Sequence, residues 1–85
     1  MNEPPEPEQD LELVYIAAKL EEAKQIEAIL GENGIEYEVR VEHYRAGLIF
    51  ASVRAGAFFY VLPEDAPRSR EILTSLGYRV TELRP

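Results

Sequence analysis

The chain is 85 residues long, contains no cysteine and carries a formal charge of −7. This length allows one small domain, and the missing thiols exclude a disulfide framework and cysteine-based catalysis. An acidic chain binds phosphate backbones poorly, because such binding depends on Lys and Arg, so we expect no nucleic-acid partner. The sequence also lacks a secretory signal and any apolar run near the about 20 residues that span a bilayer. We therefore expect a cytoplasmic protein that binds no membrane.

The first ten residues form an acidic, proline-rich stretch. Residues 1–10 contain three prolines and four acidic residues and no basic residue. Such a segment cannot bury enough apolar surface to offset the entropy of ordering, which predicts a disordered tail. Residues 11–85 then form a single domain with a formal charge of −3.

The first predicted strand covers residues 11–18 and is apolar on both faces from Leu13 onward, which is typical of a central strand. Residues 19–33 then carry apolar side chains three and four positions apart, from Leu20 to Leu30. This spacing predicts an amphipathic helix that crosses over to the next strand. Asn33 and Gly34 supply the left-handed position at which helices commonly end.

Residues 34–43 alternate between apolar and polar side chains almost without fault. The apolar set is Ile35, Tyr37, Val39 and Val41, and the polar set is Glu36, Glu38, Arg40 and Glu42. A period of two predicts a strand with one dry face and one wet face, which is typical of a sheet edge.

Residues 44–56 fit neither period. Gly47 and Gly56 bracket this segment, yet it carries the apolar side chains Leu48, Ile49, Phe50 and Val53. A solvated loop does not normally hold so much apolar surface. We therefore interpret residues 44–56 as a loop that folds back on the domain, binds a ligand or contacts another chain.

Residues 57–62 form a second strand that is apolar on both faces, and Pro63 follows it. Asp65 is a suitable cap for a second helix that has Pro67 near its start. The apolar face of this helix runs from Ser69 to Leu76, and Gly77 ends the helix. Residues 78–83 alternate weakly and predict another edge strand.

The predicted order is therefore βαββαβ, with the first and third strands apolar on both faces. This pattern fits an α+β, ferredoxin-like sandwich with antiparallel sheet order 4-1-3-2, because that order places those two strands in the middle. Right-handed crossovers put both helices on one face of the sheet. The helix-free face is then apolar along its centre, and we expect residues 47–56, a second subunit or both to cover it. Hence we expect a homo-oligomer.

Residues 13–76 also resemble a known family. The features that carry the resemblance are the helix that begins Leu20-Glu21-Glu22-Ala23, the strand opened by Gly34-Ile35, and residues 60–66 leading into residues 68–73. They are similar to the prokaryotic signal-transducing protein family, small bacterial domains of unknown function. This resemblance implies a topology like that of the nitrogen-regulatory PII proteins, in which a loop between the second and third strands contacts partners. The loop here is much shorter and lacks the PII nucleotide-binding sequence, so we expect no ATP or other cofactor.

The candidate binding residues lie in and beside the predicted loop; they are His43, Tyr44, Arg45, Phe50, Ser52 and Arg54. Tyr44 is the preferred recognition residue because it adjoins the loop. Arg45 and Arg54 flank the loop and are suited to a carboxylate or phosphate, and the simpler alternative is that they pair with the many surface glutamates. His43 is the only histidine, and the nearby glutamates lie on the other strand face, so we expect no metal site.

Residues 54–60 bear a weak likeness to an RNA-binding strand motif, but the acidic charge makes RNA an improbable ligand. The sequence contains no catalytic motif, so we expect no enzyme; an Arg and Glu acid–base site at an oligomer cleft is the remaining catalytic alternative. The favoured function is a regulatory or interaction module that binds a protein partner or itself through residues 44–56 and the helix-free face. The alternative is a sensor of small anionic metabolites, with the ligand at a subunit cleft near Arg45 and Arg54.

Overall fold

The computed structural model describes the backbone of residues 10–46 and 52–81, with side chains for all of these except 44–46 and 52–54. The elements are β1 (Glu12–Ala17), α1 (Leu20–Glu32), β2 (Tyr37–Ala46), β3 (Ser52–Val61) and α2 (Ala66–Ser75), with a 3-10 turn at Pro63–Asp65. The predicted tail, apart from Asp10, lies outside the described residues. The chain is thus an α+β protein.

The three described strands form an antiparallel sheet in the order β1-β3-β2. The β2–β3 pairing is unbroken from Tyr37 opposite Val61 to Ala46 opposite Ser52. The β1–β3 pairing has a bulge between Leu13 and Tyr15. The prediction that the third strand lies between the first and second strands is therefore confirmed.

The predicted loop at residues 44–56 was too long. β2 continues to Ala46 and β3 begins at Ser52, so only residues 47–51, which lie outside the described residues, separate the two strands. Gly56 was interpreted as a loop boundary, but it lies within β3, opposite Glu42. A glycine within a strand weakens the strand, but here the unbroken pairing on both sides of Gly56 keeps it in β3.

Both helices pack on one face of the sheet. The buried core contains side chains from this face and from the helices; they are Val14, Tyr15, Ala17, Ile26, Leu30, Ile35, Phe59, Val61, Ala66 and Leu73. Phe59 lies on β3, the central strand of the sheet, and is fully buried. Burying a side chain of this size contributes about 2 to 3 kcal/mol relative to leaving it in water.

The two helices end in the same way. In α1 the amide of Ile35 donates to the carbonyl of Leu30 at 2.9 Å, and Gly34 has a φ of 71°. In α2 the amide of Tyr78 donates to the carbonyl of Leu73 at 3.0 Å, and Gly77 has a φ of 95°. Both predicted helix stops are confirmed, and each is a Schellman-type cap that requires a left-handed residue.

Other features of the predicted helices were wrong at the helix ends. Leu20 and Leu76 were assigned to apolar faces, but they are 71% and 57% exposed. Leu20 is the first residue of α1 and Leu76 follows the last residue of α2, so neither lies in the buried middle of its helix. The Asp65 side chain makes no capping hydrogen bond, because the preceding 3-10 turn leads directly into α2.

The segment after α2 was predicted to form an edge strand over residues 78–83. The described part, residues 78–81, is not a regular strand, although the amide of Thr81 donates to the carbonyl of Val14 at 2.8 Å. Val14 lies at the β1 bulge, which disrupts the regular spacing that a longer ladder needs. The guanidinium of Arg70 also donates to the carbonyls of Leu13 and Thr81, both at 3.1 Å.

The helix-free face is apolar at its centre, as the sequence predicted. Leu13 and Phe58 lie on this face by their register, and they are only 6% and 8% exposed. The strand β2 contributes charged residues there, namely Glu38, Arg40 and Glu42. The central strands are thus apolar on both sides, and the cover expected from residues 47–56 or a second subunit stays a prediction.

Candidate functional site

The pairing of β2 with β3 determines the cross-strand partners of most of the predicted binding residues. His43 lies opposite Ala55, Tyr44 opposite Arg54, and Arg45 opposite Val53. Directly opposite residues share a face and successive residues alternate. Residues 44 and 54 are therefore paired across the two strands, and His43 belongs to the helix side.

The two loop arginines are not cross-strand partners, because Arg54 lies opposite Tyr44 and Arg45 lies opposite Val53 in the backbone register. Ser52 begins β3 opposite Ala46, and Phe50 lies outside the described residues. The anion-binding role of these residues stays a prediction.

His43 is exposed on the helix side of β2, while Glu38 and Glu42 belong to the other face. Alternation along a strand separates them, as the sequence predicted. Within residues 10–46 and 52–81, no group of three or more His, Asp or Glu side chains is placed to hold a metal ion.

A charged cluster lies on the helix-free face of β2. Arg40 donates from Nε to Glu38 Oε2 at 2.7 Å, and its guanidinium lies 4.9 Å from the centre of the Tyr60 ring. The Tyr60 hydroxyl is 3.5 Å from Glu42 Oε2. Glu38 raises the pKa of Arg40, and partial burial followed by the charge of Glu42 raises the pKa of Tyr60. The outer strand thus presents alternating negative, positive and negative charge.

A shallow apolar groove lies on the other side of the sheet, between the start of α1 and the hairpin formed by β2 and β3. Its volume is about 140 Å³, and its lining consists of Ala17, Ala18, Lys19, Leu20, Ala23, Val41, Ala55, Gly56 and Ala57. We call this surface the alanine groove. Small side chains on β1 and β3 leave the space open, while Leu20 and Val41 stand on its two sides.

The two large groove residues are unusually exposed. Val41 is 77% exposed and Leu20 is 71% exposed. Val39, two residues earlier on the same face, is half-buried against the core. The helices therefore cover β2 as far as Val39, and the strand beyond it projects past them with its apolar side uncovered.

Sequence reasoning missed the alanine groove. Val41 was correctly placed on the apolar face of β2, but a period of two does not show where the covering helices end. The run of small residues around Gly56 was visible in the sequence, and small residues on two adjacent strands are the signal that could have indicated the groove.

No protein-family model matches the chain, and no curated protein or solved structure is similar to it. The resemblance to the prokaryotic signal-transducing family therefore stays a prediction. Within the described part of the chain, no helix has the length and apolar character needed to cross a membrane.

Proposed function

We propose that this chain is a small regulatory or interaction module that binds a protein surface through the alanine groove and the projecting part of the β2–β3 hairpin. The proposed topology is ferredoxin-like, with residues 78–83 as a fourth strand beside β1. The hydrogen bond from the Thr81 amide to the Val14 carbonyl supports this placement, as does the partial burial of Tyr78 and Val80 against the core.

The exposure of Val41 is the observation that carries the proposal. An isolated exposed leucine or valine needs no explanation, but Val41 and Leu20 flank one continuous groove of small apolar residues. Covering both side chains would remove apolar area from water and gain about 25 cal/mol per Å². A protein surface can supply that cover because the groove is open along its length.

A small-molecule ligand fits this surface less well. Ligand pockets usually have volumes of about 300 to 1,000 Å³ and enclose most of the ligand. The alanine groove measures about 140 Å³, and a second depression beside Tyr37 and Tyr60 measures about 160 Å³. Both volumes lie below that range, which supports the interaction module rather than the metabolite sensor.

Site-specific photocrosslinking in living cells tests the proposal. A photoreactive phenylalanine derivative would replace Val41 in one strain and Glu27, an exposed residue of α1, in a control strain. We expect irradiation to produce a discrete adduct from position 41, identified by mass spectrometry, and none from position 27. Equal labelling at both positions, or none at position 41, would contradict the proposed function.

A further inference from the structure

The outer edge of β2 has no strand beside it among the described residues. The sheet order ends at β2, whose single neighbour is β3. An edge strand presents a row of main-chain donors and acceptors that can pair with another strand. Proteins often block such edges with proline, with charged side chains such as lysine, or with a bulge. Tyr37–Ala46 contains no proline or lysine and pairs with β3 without a bulge, and its charges are of both signs, so a second strand can pair them.

We propose that β2 pairs antiparallel with β2 of a second copy of this chain, about a two-fold axis that passes beside Val41. This inference rests on the proposed function, since it names the partner of the same surface. The two sheets then join into one sheet of six described strands, with all four helices on the same side.

Symmetry restricts the possible registers to those centred on a residue. Antiparallel strands related by a two-fold axis perpendicular to the sheet pair each residue with its mirror position about a central residue, which faces its own copy. The central residue can be any position of β2. Each choice determines which charged residues lie directly opposite each other on the helix-free face.

Among the registers centred within β2, the one centred on Val41 pairs opposite charges over the longest stretch of strand without pairing like ones. Arg40 then faces Glu42 of the second copy, and the symmetry repeats this pair. Centring on Arg40 places it against its own copy and Glu38 against Glu42, and centring on Glu42 places that carboxylate against itself. Opposite charges directly across two strands stabilise a sheet, whereas like charges destabilise it.

Two further registers are less favourable. Centring on Val39 pairs Arg40 with Glu38, but only residues 37–41 of β2 are then paired, and Glu36, just before the strand, comes opposite Glu42. Centring on His43 pairs no opposite charges, and it places the two histidines together. Charge complementarity and the longer pairing, over residues 37–45, therefore favour Val41 as the centre.

The apolar side of the strand agrees with this choice. Val41 is the most exposed of the large apolar side chains in the described part of the chain, and it meets its own copy on the two-fold axis. Val39 then faces His43 of the second copy. The alanine grooves of the two copies lie on the same side of the joined sheet, on either side of the axis.

Single-cysteine crosslinking tests this register, because the chain contains no cysteine. Residues directly opposite in antiparallel strands have Cα atoms about 4.5 or 5.5 Å apart, which is within disulfide range. In the proposed register the two Val39 positions are about 14 Å apart, as are the two His43 positions, because four residues of strand separate them. Val41→Cys, Val39→Cys, His43→Cys and a surface control, Glu27→Cys, would be oxidised mildly at equal concentration.

We expect Val41→Cys to form a covalent dimer at least about tenfold faster than Glu27→Cys, because pairing raises the local thiol concentration. Neither Val39→Cys nor His43→Cys alone should form a covalent dimer faster than the control. A mixture of these two variants should crosslink faster than the control. Faster dimerisation of Val39→Cys or His43→Cys would overturn the register. Control-level rates for every variant would overturn the edge pairing.

The outcome separates this inference from the proposed function. A photocrosslinked adduct from position 41 to a different protein, with no cysteine dimer above the control, would leave the interaction module standing and refute pairing with a second copy. No adduct at position 41 together with no cysteine dimer would refute both.

Discussion

The guanidinium of Arg70 on α2 donates from Nη2 to the main-chain carbonyl of Leu13 on β1, at 3.1 Å, although 57 residues separate them. The same side chain donates from Nε to the carbonyl of Thr81 at 3.1 Å. Arg70 therefore connects the second helix, the edge of the first strand and the segment after the helix. It supplies hydrogen bonds where the β1 bulge prevents a regular ladder.

Replacing Arg70 with Met should lower the free energy of unfolding by about 2 kcal/mol, because two partly buried carbonyls lose a charged donor. Urea denaturation measures this loss, and the amide of Thr81 should exchange with deuterium faster than in the parent chain. Arg79→Met is the matched control because Arg79 is exposed. Equal stability of the two variants would show that the Arg70 hydrogen bonds contribute nothing.

Replacing Gly31 or Gly34 with alanine should change the free energy of unfolding in opposite directions. Gly34 has a φ of 71°, and neither Gly34 nor Gly31 has an atom within 4 Å of an added Cβ. Gly34→Ala should therefore destabilise the protein by about 1 to 2 kcal/mol through backbone conformation alone. Gly31→Ala, inside α1, should stabilise it by about 0.5 to 1 kcal/mol. Thermal or urea unfolding of both variants tests the left-handed helix stop, which requires stability changes of opposite sign.

The buried phenol of Tyr15 predicts a loss of stability at high pH. Burial, followed by the hydrogen bond that its hydroxyl donates to Glu22, raises the pKa of Tyr15 well above its usual value. Above about pH 10 the unfolded chain releases this proton while the folded chain retains it. The free energy of unfolding should then fall by up to about 1.4 kcal/mol per pH unit from this residue.

The Tyr15→Phe variant tests this assignment, since it has no phenolic proton at that position. Urea midpoints measured between neutral pH and pH values above 10 should fall less steeply for this variant than for the parent chain. Tyr37→Phe is the control because Tyr37 is 36% exposed, and it should retain the steep fall. A Tyr15→Phe curve parallel to that of the parent would contradict the role of the buried phenol.

The proposed dimer predicts a charge-swap result. Arg40→Glu alone places two like pairs across the two-fold axis, and we expect the dimer dissociation constant to rise about tenfold or more. Glu42→Arg alone should act similarly. Combining the two substitutions restores opposite pairs in reversed order, so the double variant should recover most of the affinity measured by sedimentation.

A second double variant controls for general charge effects. Arg40→Glu with Glu38→Arg has the same composition as the first double variant, but in the proposed register residue 40 still faces Glu42. The dimer of this control variant should remain weak. If Glu38→Arg rather than Glu42→Arg restored the dimer affinity of Arg40→Glu, the register centred on Val39 would be indicated.

The sequence predicted features that depend on local patterns. Alternation in residues 35–42 correctly divided β2 into two faces, because each side chain's direction follows from its position in the strand. The left-handed positions at Gly34 and Gly77 were likewise correct, since a helix end has a local residue preference.

The remaining features depend on which elements meet. The strands extend to Ala46 and Ser52 because they pair with each other, and this pairing keeps Gly56 in β3. The exposure of Leu20 and Val41 depends on where the helices end relative to the sheet. Periodicity within one segment does not contain that information, so the sequence indicated a binding region on this hairpin but not the groove.

The most direct test of the proposed self-association is the mass of the protein in solution. Sedimentation equilibrium of the parent chain over a range of concentrations should show a shift from the chain mass of 9.7 kDa toward twice that value. The exposed substitution Val41→Asp should hold the protein at the monomer mass, with unchanged circular dichroism. A parent chain that stays monomeric at every concentration, or a Val41→Asp variant that dimerises equally well, would contradict the pairing of β2 about Val41.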